Sequence, residues 1–178
     1  MSKMTRVKYD PSAKMERFYQ FIAEIMKGNE ENAKFLQKSI GYGLSGDTKE
    51  ECFFLVYGPT SRNWKTTLFD TIRHLLGTYA GAMDVSAIAK QTFVNSSGVT
   101  PHLARINGLR FILMNEPQKW IKLDDSLIKQ LTGGDAVTAR RLYEDVIEFK
   151  PMGKIFITTN TLSKMDDDSI FRSGRVKK

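Results

Sequence analysis

Phe53-Phe54-Leu55-Val56-Tyr57-Gly58-Pro59-Thr60-Ser61-Arg62-Asn63-Trp64-Lys65-Thr66-Thr67 is the stretch whose reading decides the fold. An apolar run ends at a glycine, a polar loop follows, and Lys-Thr-Thr opens a segment of helical pattern that reaches Leu76. Strand, loop and helix in that order make a phosphate-binding loop. The strand delivers the loop, backbone N–H groups wrap the phosphates, a lysine reaches the terminal phosphate and a hydroxyl holds Mg²⁺. Two details depart from G-x-x-x-x-G-K-[ST]: the loop is one residue longer, and Trp64 stands where the second glycine belongs. The span Gly58 to Thr67 is the candidate nucleotide-binding segment, with Lys65 as the phosphate lysine and Thr66, backed by Thr67, as the Mg²⁺ hydroxyl. A bare Lys-Thr-Thr would read better as a surface lysine and a helix cap. The apolar strand and Gly58 ahead of it favour the phosphate site.

Working outward, Leu109 to Asn115 and Lys154 to Thr159 are two more apolar strands without polar alternation. Such strands belong to a sheet covered on both faces. They end at Glu116 and Asn160, and in open α/β sheets ligands sit at the carboxyl ends of strands, so the three ends should converge. A carboxylate at Glu116 can polarise an attacking water or help hold Mg²⁺ through water; taken alone it reads better as a solvated strand end. An amide at Asn160 can orient water against a γ-phosphate, although Asn also forms turns readily. Val137 to Tyr143 and Val146 to Phe149 read as a β-hairpin turning at Glu144-Asp145. Arg140 and Arg141 in it, with Lys150 and Lys154 after it, offer positive charge to DNA phosphates, or form a solvated hairpin face. Arg172 and Arg175 lie in a basic tail, where one could be an arginine finger on a neighbouring subunit. His74 and His102 are isolated and read as structural.

Upstream, Asp10-Pro11 reads as an N-cap and first helical residue. Phe18, Phe21, Ile22, Ile25 and Met26 then line one helical face up to Gly28. A second helix is expected from Glu30 to Leu44. Residues 1–46 form a helical lead-in and 47–178 the α/β core. Between the motif strands, Thr78 to Val85 is a connection that admits a strand, Thr100-Pro101 starts a helix to Ile106, and Asp124 to Leu131 is helical.

The net charge is +7, from 27 Lys and Arg against 20 Asp and Glu, which favours an anionic partner, nucleic acid first. The single cysteine, Cys52, excludes a disulfide framework and a cysteine-rich zinc site. The apolar runs are too short to span a bilayer, and Met1 to Lys14 carries no apolar signal region, so a cytoplasmic protein without membrane contact is expected.

Taken together, the motifs carry a resemblance. Gly58 to Lys65 follows Phe53-Phe54-Leu55-Val56-Tyr57. Asn95-Ser96-Ser97-Gly98, Asn115-Glu116-Pro117, Leu131-Thr132-Gly133-Gly134-Asp135 and Thr138-Ala139-Arg140 come next. Phe149-Lys150-Pro151, Thr159-Asn160 and Phe171-Arg172-Ser173-Gly174-Arg175-Val176 complete the series. From about Tyr9 to Val176 the chain resembles the C-terminal helicase domain of phage and plasmid primases, a branch of the superfamily 3 helicases related to the poxvirus primase-helicase. The resemblance implies an AAA+-like P-loop NTPase core, ring-shaped oligomers (usually hexamers), ATP and Mg²⁺ as cofactors, DNA as partner, and ATP-driven unwinding in replication within a bacterial host's cytoplasm. It matches Gly58 to Thr66 to Walker A, whose extra residue is usual in this branch, and Glu116 to the Walker B glutamate. It matches Asn160 to the sensor asparagine, Arg175 better than Arg172 to the arginine finger, and the Arg140–Lys154 region to the hairpin that points into the DNA channel.

Three departures shape the alternative. Glycine lets a backbone approach phosphate closely, and a tryptophan in its place should crowd the phosphates, with strain of ~1–3 kcal/mol, unless the longer loop swings Trp64 outward. Family members continue past the finger motif, and a primase domain precedes them. On these grounds the chain reads alternatively as a fragment or prophage relic: a non-catalytic DNA-binding or interaction module. A small P-loop kinase is disfavoured, because a hairpin stands where a kinase needs an acceptor lid.

Overall fold

The computed structural model describes residues 3–58, 64–90, 100–115, 122–160 and 174–177. The chain opens with two helices, α1 (Glu16–Ile25) and α2 (Glu30–Leu44), and then enters β1 (Phe53–Tyr57) and α3 (Lys65–Leu76). β2 (Ala80–Asp84), α4 (Pro101–Arg105), β3 (Phe111–Asn115) and α5 (Asp125–Gly133) follow. The hairpin β4 (Val137–Arg140) and β5 (Val146–Phe149), then β6 (Lys154–Thr159) and β7 (Val176–Lys177), complete it. Five strands form one sheet in the order β2-β3-β6-β1-β7, and every pairing in it is parallel. β4 and β5 form a separate antiparallel pair. This is an α/β fold of the Rossmann or P-loop-like kind.

The three apolar strands of the sequence, β1, β3 and β6, are neighbours in the middle of the sheet, and β6 is buried along its whole length. Two apolar clusters cover the two faces. One gathers Leu55, Ile112, Met114, Ile155 and Ile157 under α4 and α5. The other gathers Phe54, Phe111, Leu113 and Phe156 under α2 and α3. In the second, Phe54, Phe156 and Phe111 stack across three strands with ring centroids 4.7 and 4.2 Å apart. Phe69 of α3 tilts onto the last two at 5.6 and 6.0 Å. Each such aromatic pair contributes about 0.5–1.5 kcal/mol beyond its buried area. α2 lies close enough that a Cβ on Gly43 would come within 2.9 Å of the Phe111 ring, so this helix position requires glycine.

Two expectations are corrected at the ends of the chain. α1 begins at Glu16, not at Pro11: the Asp10 carboxylate accepts from the Ser12 backbone N–H at 2.9 Å and its hydroxyl at 2.7 Å, closing a local turn instead of capping a helix. The tail, where the sequence alone allows two solvated arginines, is instead tied in: Val176 and Lys177 pair with Phe53 and Phe54 as the edge strand β7. Among the described residues no helix is long and apolar enough to cross a membrane.

Candidate functional site

The carboxyl ends of β1 and β6 lie side by side, with Tyr57 in register with Thr159. The Gly58 N–H donates to the Thr159 carbonyl at 3.1 Å, extending the ladder one residue past β1. Lys65 opens α3 and turns back over this junction. Its ammonium donates to the Gly58 carbonyl at 2.8 Å and to the Asn160 side-chain oxygen at 2.6 Å. Lys65 is 5% exposed, so a cation is held under cover where the two strands end. Burial strengthens its field, and the amide oxygen offsets part of the desolvation.

The N-terminus of α3 differs from those of its neighbours. α2 is capped by Asn29 and carries Glu30 and Glu31 in its first turn; α5 is capped by Asp124 and carries Asp125. α3 has no side-chain cap and no acid in its first turn, which instead presents Lys65 and the exposed Thr66 and Thr67. A helix start without a side-chain cap or an acidic first turn, beside a buried ammonium, has the electrostatic character that favours an anion. The hydroxyls at Thr66 and Thr67 suit a Mg²⁺ ion, which keeps most of its waters and needs one or two protein oxygens besides phosphate. No group of three or more His, Cys, Asp or Glu able to cage a metal occurs among the described residues.

Trp64 answers the question raised by the missing glycine. Its backbone has φ −53° and ψ −17°, ordinary right-handed helical angles that any residue adopts. Its indole packs against the apolar cluster under α2 and α3. The backbone at this position therefore does not require glycine, and the ring is half-buried.

Pro59 to Asn63, Glu116 and Arg172 lie outside the described residues, as do the Asn95-Ser96-Ser97-Gly98 and Glu116-Pro117 segments. Asn115 ends β3, opposite Asp84 at the end of β2. Asp84, for which the sequence suggests no role, accepts from the Ser86 N–H at 2.8 Å and caps the 3-10 turn Val85–Ile88. Hydrogen bonding from Ser86 holds its carboxyl below the usual range. Burial lowers the pKa of His102, in keeping with a structural imidazole.

Arg175 is held at the opposite end of β1. Its carbonyl accepts from the Phe53 N–H at 2.9 Å, five residues from Gly58 and so about 16 Å away at the strand rise. The guanidinium meets the Glu51 carboxylate at 2.8 Å and donates to Thr132 Oγ1 at 3.1 Å. The chain thus brings Lys65 and Asn160 together and keeps Arg175 away from them.

The basic hairpin divides. Arg140, Arg141 and Lys150 are exposed, and Arg141 meets Glu144 at 3.3 Å across the turn. Leu142 and Tyr143 project from that turn at 60% and 99% exposure. Lys154 does not belong to this surface and is corrected from a DNA-contacting candidate. It starts β6 in the central sheet at 2% exposure, and its ammonium donates to the Met152 and Ser45 carbonyls at 2.7 and 3.0 Å, 4.7 Å from the Tyr42 ring centre. Burial pushes its pKa down to about 8. With Arg110, which donates to the Leu44 carbonyl at 3.3 Å, it supplies the positive charge that the last turn of α2 lacks. Its place at the head of a buried parallel strand is the one sequence feature that draws Lys154 inward.

Comparison with solved structures supports the fold. The NrS-1 C-terminal region (305–718), in apo form, superimposes with TM-score 0.65 over 94% of this chain and 38% of its own, at 13% identity. Its A form gives TM-score 0.62 over 94% of this chain and 37% of its own, at 14% identity. In sequence, the chain is 35% identical over 135 residues to "Putative helicase L207/L206" of Acanthamoeba polyphaga mimivirus, covering 75% of this chain. It is 25% identical over 161 residues to "Putative helicase 022R" of Frog virus 3 (isolate Goorha), covering 88% of this chain. The chain spans 14% and 16% of the length of those two relatives. One family profile takes in both the end of β1 and Arg175, matching residues 56–175, and by it the chain belongs to DUF5906, a family of unknown function.

Proposed function

We propose that this chain is the nucleotide-hydrolysing core of a replicative DNA helicase of the superfamily 3, primase-associated type. The observation that carries this reading is the buried Lys65 ammonium bridging the ends of β1 and β6 at the start of α3. The similarity to viral proteins named as helicases points the same way.

In this reading Lys65 neutralises the β- and γ-phosphates of ATP. Residues 58–67 wrap them. Mg²⁺ would be held by Thr66 and would supply further positive charge against the phosphates. Asn160, whose side-chain oxygen accepts from Lys65, responds to the γ-phosphate because any phosphate that draws the ammonium away frees the amide. Glu116, next along the chain from the exposed end of β3, positions the attacking water. Arg175, whose carbonyl is tied to Phe53 at the end of β1 away from Gly58, serves a neighbouring subunit in a ring. Arg140, Arg141 and Lys150 bind DNA phosphates, and Tyr143 at the hairpin tip offers a ring for base stacking. The helical backbone angles of Trp64, which need no glycine, support an active site over a silenced relic.

The test is ATP hydrolysis with and without single-stranded DNA, for this chain and for Lys65→Ala. DNA-stimulated hydrolysis abolished by the substitution supports the reading. Absence of both nucleotide binding and hydrolysis in the unsubstituted chain refutes it.

A further inference from the structure

Beside the lysine site lies a cavity of about 220 Å³ between α2 and the outer edge of β1. Tyr57, the last residue of β1, and Trp64, which precedes α3, both line it. Phe35 of α2 and Phe54 of β1 complete an aromatic wall, and Phe54 holds Phe35 edge-on at 6.4 Å. Phe35 and Tyr57 keep 41% and 44% of their surface exposed, an unusual state for two large rings facing one cavity. Asn32 adds a carboxamide, and the buried Ser39 a hydroxyl that donates to the Phe35 carbonyl at 2.8 Å. Among the described residues β7 pairs with β1 at Phe53 and Phe54, and Leu55, Val56 and Tyr57 beyond them line the cavity.

We infer that this cavity receives the base of the bound nucleotide, and that the base is a purine stacked among Phe35, Tyr57 and Trp64. The inference rests on the phosphate-site reading of Lys65. Volume supports it: drug-sized ligands occupy roughly 300–1,000 Å³, so this cavity suits one planar ring system and not a whole nucleotide. Position supports it as well, because a ligand whose phosphates lie at Lys65 reaches the cavity past Trp64, the adjacent residue. Apart from Asn32, Ser39 and Lys177 the lining is aromatic and aliphatic, as base stacking requires, and Asn32 presents the donor and acceptor pair that a purine edge can take. Trp64 then acts at this position as a wall of the base pocket, which accounts for a large ring at the mouth of a phosphate loop.

The experiment uses the full chain carrying Trp120→Phe, which leaves Trp64 as the single tryptophan. Its fluorescence is titrated with magnesium ATP, magnesium CTP and magnesium tripolyphosphate, in that background and with Phe35→Ala or Phe35→Tyr added. The expected result is quenching of Trp64 by ATP, weaker binding of CTP, and competition by tripolyphosphate without quenching. Phe35→Ala should weaken ATP binding about tenfold and leave tripolyphosphate unaffected, while Phe35→Tyr restores ATP. Equal binding of ATP and tripolyphosphate, or an ATP affinity indifferent to Phe35→Ala, overturns the base pocket and leaves the phosphate site standing. Failure of both ATP and tripolyphosphate to bind overturns the phosphate site, and the pocket assignment with it.

Discussion

The Lys65 ammonium donates to the side-chain oxygen of Asn160 at 2.6 Å, joining the first turn of α3 to the end of β6 across 95 residues of sequence. Either residue read alone has an ordinary explanation. Their hydrogen bond makes one polar unit out of two strand ends and a helix start.

Replacing Asn160 by Ala should therefore damage turnover more than binding. Lys65 keeps the Gly58 carbonyl as a partner, so ATP affinity is expected to change only a few-fold. Loss of the positioning amide should lower kcat about 100-fold. Steady-state kinetics beside an equilibrium nucleotide titration checks the split; a loss confined to affinity would contradict the assigned role.

Trp64→Gly should not improve the site. The residue already has helical backbone angles, and the indole packs against the second apolar cluster. Removing a half-buried indole should cost about 2 kcal/mol, roughly half the usual Trp→Ala value in a core. For a chain of this size that lowers Tm by about 4–8 °C. Differential scanning calorimetry reads the shift, and an unchanged or raised Tm would show the indole to be superfluous.

Lys154 predicts a pH dependence of stability. Its pKa falls from 10.5 to about 8 in the folded protein, chiefly through burial, with Asp47 and Cys52 opposing and Arg110 adding to the fall. Between those values the unfolded chain binds more protons than the folded one, so stability rises with pH from about 8 towards 10.5. Below pH 8 the buried charge is carried in full. Urea denaturation of the wild type and of Lys154→Met across pH 7–10 should show this rise in the wild type alone.

If Arg175 acts on a neighbour, two inactive variants should complement each other. Lys65→Ala keeps the arginine and Arg175→Ala keeps the lysine. Each alone should lose hydrolysis, the latter by roughly 10³-fold or more. Mixing them should restore a fraction of it, growing with protein concentration. No recovery at any ratio would leave Arg175 with its structural role, the tie to Glu51 and Thr132, which as a partly exposed ion pair contributes about 1 kcal/mol or less.

The hairpin prediction concerns salt. Substituting Arg140, Arg141 and Lys150 by Ala should weaken single-stranded DNA binding. The slope of log K against log salt should flatten by about 0.7 for each phosphate that no longer meets a cation. Lys154→Met, with its amine buried under α2, should leave that slope unchanged. Fluorescence anisotropy between 50 and 200 mM salt is the measurement.

Much of the chain is legible locally. β6 has the bounds that its apolar run implies, the hairpin strands begin where their composition places them, and α2 spans Glu30–Leu44 as its spacing of apolar residues requires. Runs of apolar residues and helical periodicity are short-range signals, and so is the strand–loop–helix order around Lys65. The start of α1 is not legible, because an Asp before a Pro serves a turn as readily as a helix cap. Nor is β7, because two residues in a basic tail carry no period at all.

The sequence by itself determined an α/β chain with three buried strands, a polar group at the end of each, and a lysine and threonine at a helix start. Only the tertiary structure decided which groups meet. It joined Lys65 to Asn160, carried Arg175 to the far end of β1 and drew Lys154 under α2. It also turned Trp64 into the apolar cluster beside a cavity. The physical reason is that side-chain type and spacing specify local backbone, whereas the environment of a charge or a ring depends on sheet order and on which helix covers which face. Those are set by packing among residues far apart in sequence, such as the Phe54, Phe156 and Phe111 stack.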